Sequence, residues 1–127
     1  MKIFICEQDH GTAKSMQAIL GRYNYKVVTV QKNIDLFKQV NQQQPAVIIV
    51  NESFNENGGV ETINLLKSDP DTSNIPIIYI GQNNKTLSSL YPKSNKFVEV
   101  IQEPVKIKNL KHYIDRWTTF RSINIKH

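Results

Sequence analysis

A doubly wound α/β domain, with five parallel strands each followed by a helix in the order (βα)5, is the architecture this sequence predicts. Short uninterrupted apolar runs such as Ile3–Cys6 and Ala46–Val50 recur along the chain, the mark of strands covered on both faces. Between them lie segments whose apolar residues return every three or four positions, as on one face of a helix. The two kinds of segment alternate from one end to the other, which calls for a parallel sheet with helices on both sides. A chain of 127 residues suits one such domain, read here as residues 1–121 followed by a basic tail at 122–127.

The elements follow in order. Ile3–Cys6 is the first strand, and Ala13, Met16, Ile19, Leu20 and Tyr23 mark the first helical face. Lys26–Val30 (KVVTV) is β-branched and forms the second strand. Ile34, Phe37 and Val40 give the second helix, which runs into a glutamine-rich stretch before Pro45. Ala46–Val50 (AVIIV) is the clearest strand of all, and Val60, Ile63 and Leu66 give a third helix closed by Asp69-Pro70. Ile75–Ile80 is the fourth strand, with Pro76 near its start, where a missing donor is tolerated. Leu87 and Leu90 suggest a short fourth helix stopped by Pro92. Phe97–Ile101 is the fifth strand, and Ile107, Leu110, Ile114 and Trp117 mark the last helix.

Composition narrows the class of protein. Hydrophobic residues at 39% and charged residues at 21% are the balance of a chain that buries a core, not of a disordered tail. No apolar run approaches the ~18 residues needed to cross a bilayer. MKIFICEQDH turns acidic too early for a signal peptide, and the single Cys6, inside an apolar run, fits a buried thiol in a reducing compartment. These point to the cytoplasm and to no membrane partner. Of the 16 basic and 11 acidic residues, Lys106, Lys108, Lys111, Arg116, Arg121 and Lys126 face only Asp115 in the segment 104–127, leaving 10 of each sign elsewhere. The whole excess of +5 therefore lies on the last helix and its end. A solvated helix face accounts for it, because basic residues suit a helix C-terminus; an acidic partner accounts for it too.

In doubly wound folds, ligands bind beyond the carboxyl ends of the strands. The residues there are Glu7, Gln8 and Asp9, then Asn51, Glu52 and Ser53, then Gly81 and Gln82, then Gln102, Glu103 and Pro104. Several features occur in a fixed order. The acidic cluster follows KIFIC, PAVIIVN carries Asn51, and Gly59 lies eight residues later; IPIIYI and the Glu103-Pro104 pair follow. From Glu7 to Asn51 is 44 residues, from Asn51 to Gly81 is 30, and from Gly81 to Glu103 is 22. In these motifs and spacings, almost the whole chain resembles a response-regulator receiver domain. The resemblance implies a flavodoxin-like, CheY-like sheet and a place in bacterial two-component signalling, including its phosphorelays.

The departures from that family are concentrated in its chemistry. The resemblance places a phosphoacceptor aspartate at the end of the third strand, and here the residue is Asn51. An amide cannot attack phosphorus as a carboxylate can. The family's lysine falls at Glu103, its Thr or Ser at Gly81, the small residue beside that at Gln82, and its switching aromatic at Val100. Glu7, Gln8, Asn51, Gly81 and Glu103 thus form a degenerate phosphoacceptor pocket. The Mg²⁺ ligands implied by the family fall on Glu7, Gln8, Asn51 and the Ser53 carbonyl. Only Glu7 keeps a charge there, and Mg²⁺ depends on carboxylates. No metal and no cofactor is expected. A hydrogen bond between Asn51 and Glu103, making a rigid corner, is the expected arrangement.

Other chemistry finds little support. GTAKS after the first strand lacks the glycines of a phosphate loop, and Glu7 and Asp9 would repel an anion there. His10, His112 and His127 stand singly, and with Cys6 they show no metal-ligand spacing. Ser53 and His10 could approach each other at the strand ends, but only by chance proximity, and no Ser/His/Asp or Cys/His set is placed at one sheet edge, so the chain is not read as an enzyme.

The last helix carries the other unusual feature. Tyr113, Trp117 and Phe120 form a stripe beside the Ile107–Leu110–Ile114 stripe, a combination wider than one core contact needs. Aromatics flanked by Lys and Arg are typical interface anchors, and capping of the core is the plain alternative, above all for Trp117. Lys108, Lys111, Tyr113, Trp117 and Phe120 make up the candidate partner-binding set. The expected function is a phosphorylation-independent, receiver-like protein-interaction module whose partner is a signalling protein or a second copy docked as a homodimer through the last helix. The alternative is a protein that binds nucleic acid, or another acidic partner, through the basic helix. Against nucleic acid, there is no helix-turn-helix and no basic patch interleaved with aromatics along the sheet.

Overall fold

The apolar runs become five parallel strands in the order β2-β1-β3-β4-β5, in a computed structural model that describes residues 1–54, 58–81 and 97–125, with the backbone alone at 33–35 and 120–125. The elements are β1 (Lys2–Cys6), α1 (His10–Gly21), β2 (Lys26–Val30), α2 (Asn33–Gln43), β3 (Val47–Asn51), α3 (Gly59–Ser68), β4 (Ile77–Gly81), β5 (Val98–Gln102) and α4 (Ile107–Ile125). The fourth helix expected around Leu87 and Leu90 lies outside the described residues, as does Gln82.

Strand alternation sorts the side chains between two cores. Phe4, Cys6, Ile48, Val50, Ile77 and Tyr79 point to the face covered by α2 and α3. Ile3, Ile5, Val47, Ile49, Ile78 and Ile80 point to the face covered by α1 and α4, where they meet Met16, Leu20, Leu110 and Ile114. β1, β3 and β4 are interior, so an apolar residue suits nearly every position. Burying each Ile or Phe there contributes roughly 1.5–3 kcal/mol relative to exposure. β2 and β5 are the sheet edges and only partly covered, which is why KVVTV and VEVIQ can carry Lys26, Thr29, Glu99 and Gln102. Cys6 is fully buried between β2 and β3, and burial pushes its thiol far above its ordinary range.

Two boundaries differ from the sequence reading. The helical face of α1 does not extend to Tyr23: the helix ends at Gly21, Asn24 takes a left-handed φ of 67°, and Tyr23 is exposed in the turn. The apolar repeat reaches one turn too far because it carries no record of that stop. At the other end, α4 continues through Ile125, into the span read as a tail.

The end of α3 is tied down by one cation. Lys67 Nζ donates to the carbonyls of Ser73 and Ile75, both at 2.9 Å. It also lies 5.7 Å from the centre of the Phe97 ring, at the start of β5. Burial lowers this ammonium to about 8.

Candidate functional site

The switch in strand order lies between β1 and β3, where α1 leaves to one face and α3 to the other, opening a crevice at their carboxyl ends. Register places the site residues there. Cys6 pairs with Val50 and Val50 with Tyr79, so the next residues along, Glu7 and Asn51, meet at the edge. Glu103 arrives from just beyond β5, in a backbone bond from its N–H to the Gly81 carbonyl at 2.9 Å.

Asn51 is the hub. Its Nδ2 donates to Glu7 Oε1 at 3.0 Å and to Glu103 Oε1 at 3.4 Å. Its Oδ1 accepts from both the N–H and the hydroxyl of Ser53, each at 3.0 Å. Two donors and two acceptor sites are all a primary amide has, and all four are engaged. The expected Asn51–Glu103 bond is present, and Glu7 joins it as the closer partner. A neutral amide here bridges two carboxylates that would otherwise repel.

Backbone closes the corner from behind. The Phe54 N–H donates to the Asn51 carbonyl and the Gly59 N–H to the Glu52 carbonyl, both at 2.9 Å. A Cβ at Gly59 would stand 2.6 Å from the Asn51 carbonyl oxygen and 3.0 Å from both Tyr79 and Val50. Only glycine allows that approach, which explains why this residue starts α3.

Charge is arranged by burial and by local bonds. Glu7 is buried, and burial raises its carboxyl pKa; the N–H groups of Asp9 and Gln8 lower it, and the charges of Asp9 and Glu103 raise it. Asp9 is exposed and caps α1, accepting from the Thr12 N–H at 2.9 Å and from its hydroxyl. These bonds hold its pKa below the usual range. Gln8 is exposed, and Gly81 is buried at the end of β4 without a hydroxyl to offer.

The donor set does not fit the Mg²⁺ that the resemblance implies. Where a metal needs an oxygen from Asn51, the N–H side of its amide faces the carboxylates and its oxygen is taken by Ser53. Among the described residues no group of three His, Cys, Asp or Glu side chains could hold a metal ion. Beside this corner, between the start of α1 and the start of α4, lies a cleft of about 630 Å³. Its described lining includes exposed Asp9 and Ser15, half-buried Glu103 and Ile107, and buried Met16 and Leu110.

The partner-binding candidates on α4 are placed unequally. Lys108 is exposed. Lys111 pairs with Asp115 and lies 5.1 Å over the Tyr23 ring, while Asp115 also accepts from the Tyr25 hydroxyl. Tyr113 is half-buried, with the Arg116 guanidinium 5.3 Å over its ring. Trp117 is turned inward: Nε1 donates to Glu99 Oε1 at 2.7 Å, and its ring meets Phe97 edge-on, centres 6.3 Å apart. Glu99 also pairs with Arg116. The side chain of Phe120 lies outside the described residues. Sequence reasoning missed Glu99 as an organiser, although a lone acid in VEVIQ, opposite a helix carrying Arg116, was a signal for it.

The family model of the response regulator receiver domain matches residues 3–115. Among solved structures, the chain is similar to the signal receiver domain of a histidine kinase from Syntrophus aciditrophicus, at 21% identity and TM-score 0.81, over 93% of this chain and 89% of that one. It is also similar to a sensor protein from Polaromonas sp. JS666, at 19% identity and TM-score 0.81, over 93% and 95%. A receiver domain protein from Clostridium thermocellum matches at 14% identity and TM-score 0.83, over 96% and 97%. These likenesses show a shared fold. No curated protein matches the chain.

Proposed function

Since the chain belongs to the response regulator receiver domain family, we propose that it works as a phosphorylation-independent receiver, a protein-interaction module of two-component signalling in the cytoplasm. One observation carries this reading: Asn51 stands at the acceptor position with every hydrogen-bonding site engaged by Glu7, Glu103 and Ser53. Among the described residues, neither a nucleophilic oxygen at that position nor a neighbouring cation is offered to a phosphoryl group. Glu103 adds a negative charge where the incoming group brings more. The module binds rather than catalyses.

The surface proposed for the partner is the outer face of α4. Lys108 and the Arg116-covered Tyr113 are the contact residues, Phe120 a further anchor, and Lys111 and Trp117 hold the helix in place from within. The partner is an acidic signalling protein or a second copy. An acidic partner would meet Lys108 there, since Lys111 and Arg116 already face Asp115 and Glu99. No helix among the described residues is long and apolar enough to cross a membrane.

The test is intact mass and amide NMR spectra after incubation with acetyl phosphate, or with beryllofluoride and Mg²⁺. Both are expected to stay unchanged, and a stoichiometric phospho-adduct on a pocket carboxylate overturns the reading.

A further inference from the structure

Charge is divided unevenly between the two ends of the sheet. Of the 11 acidic residues, all but four fall in the chain between the carboxyl end of a strand and the first turn of the helix that follows. The four are Asp69, Asp71, Glu99 and Asp115. Glu99 and Asp115 are paired with Arg116 and Lys111. Asp69 and Asp71 lead into β4, which the strand order separates from β1 by β3, and from β2 by both β1 and β3. At ~4.8 Å per strand that is roughly 10–15 Å.

The amino ends of β1 and β2 carry Lys2 and Lys26. The two are register partners on adjacent strands, and alternation with Phe4 and Val28 points both to the face covered by α2 and α3. Arg22 and Tyr23 lie at the same end, in the turn between α1 and β2. Among the described residues none of these three cations is in an ion pair, and Arg22 and Lys26 are exposed. Two ammonium groups at matching positions on neighbouring strands repel each other until an anion lies between them. α4 runs toward this end too: Asp115 accepts from the hydroxyl of Tyr25, next to Lys26, and Arg121 follows on the helix. Lys2 is far in sequence from Arg22 and Lys26, so only folding assembles the patch.

A protein interface usually centres on apolar side chains, with its charges at the rim. Here the cations are central, and Tyr23, 38% exposed, is the one exposed large aromatic among the described residues. Separate cations beside one aromatic ring suit a row of phosphates whose unstacked bases can lie on the ring. We propose that the amino end of the sheet, around Lys2, Arg22 and Lys26, binds the phosphate backbone of a single-stranded nucleic acid, with Tyr23 as the platform for a base. This goes beyond the reading of the chain as a protein-binding receiver and uses a surface other than the outer face of α4, so either can fail alone.

The probe is a fluorescein-labelled oligothymidylate of about 15 nucleotides, titrated with the full chain and read by anisotropy at several salt concentrations. Log affinity is expected to fall with log salt at a slope of about −2, from ~0.7 for each phosphate met by one of the three cations. Lys2→Gln with Lys26→Gln should reduce that slope by about 1.4 and weaken binding by about 10-fold or more near ~0.1 M salt. Arg22→Gln, in an exposed turn, should weaken it by about 5-fold. Tyr23→Leu should weaken the oligothymidylate by about 5-fold or more and leave inorganic polyphosphate binding unchanged. Lys108→Gln, on the α4 face, should change neither by more than about 2-fold. The proposal is overturned if the oligothymidylate does not bind up to about 100 μM protein, or if the lysine and arginine variants bind it as the parent does. It is overturned as well if phosphatidylglycerol vesicles or polyglutamate bind more tightly at equal charge, since the surface then serves a membrane or an acidic protein.

Discussion

The corner around Asn51 and the outer face of α4 use the same side-chain chemistry, carboxylates beside nitrogen donors, with opposite results. In the corner, one neutral amide stands between Glu7 and Glu103 and is itself fixed by Ser53. Every member depends on the others, and at the start of α3 the backbone comes so close that a Cβ on Gly59 would stand 2.6 Å from the Asn51 carbonyl oxygen. On α4 the donors are long cations, Lys111 and Arg116, paired with Asp115 and Glu99 near solvent. Such pairs are individually weak and replaceable. A closed polar network in a tight place resists change, and an open one tolerates it. That difference supports the proposal that α4 carries the binding surface while the corner serves as a fixed joint.

The largest effect expected from breaking the comparison is that of Asn51→Asp. It replaces the shared donor by a third carboxylate, within hydrogen-bond distance of the other two. We expect a loss of about 2–3 kcal/mol at pH 7, because an uncompensated, partly buried charge is costly. A carboxyl whose folded pKa is raised contributes its stability at low pH and loses it as pH rises through that pKa. The loss should therefore shrink at pH 5. Urea denaturation at the two pH values measures both, and a variant as stable as the parent at pH 7 would falsify the account of the corner.

Gly59→Ala comes next. With its Cβ placed 2.6 Å from the Asn51 carbonyl, the loop and α3 must shift, at a cost of about 1–3 kcal/mol, as for overpacking elsewhere. The midpoint of thermal unfolding should fall, and Asn51 side-chain amide resonances should move with it. An unchanged midpoint would show that the corner yields more easily than its contacts imply.

Glu7→Gln sharpens the same point in the other direction. Glu7 has a raised pKa, chiefly from burial, so its stabilising contribution is complete below the ordinary glutamate range and is lost as pH climbs through the raised value. The amide oxygen of the variant can still accept from Asn51, and it carries no charge. Relative to the parent, the variant should lose less stability as pH rises from 4 to 7, seen as a smaller fall in unfolding free energy over that interval. A steeper fall than the parent's would contradict the sign.

The smallest effects belong to α4. Lys111→Ala should cost under about 1 kcal/mol, and Lys108→Ala no more than about 0.5 kcal/mol. Added salt should erase most of the first difference. A Lys108 variant that unfolds as readily as Asn51→Asp would end the contrast between the two regions.

Much of this arrangement is legible in the residues. Continuous apolar runs mark the interior strands because burial on both faces leaves little room for polar residues, and the spacing from Glu7 to Asn51 to Glu103 places the corner. The bond between Asn51 and Glu103 follows from pairing needs. That Glu7 is the nearer acceptor depends on sheet register, which brings the residue after Cys6 beside the residue after Val50. Tyr23 is misplaced by periodicity, which counts apolar residues and does not see a left-handed Asn24. The inward turn of Trp117 depends on Glu99 and Phe97, neither of which belongs to its own helix, so no helical pattern could have shown it.

Cys6 gives the molecule a built-in clock. Its sulfur is fully enclosed on the sheet face covered by α2 and α3, and its thiol is kept protonated by burial. A thiol-reactive dye can reach it only in conformers where that face is uncovered, and the thiolate that does the reacting forms only there. The rate of labelling under native conditions, compared with that of unfolded chain, therefore reads the frequency with which this half of the core opens. No tag or tryptophan signal is needed, and any ligand that binds the folded state should slow the clock by the factor set by its own affinity.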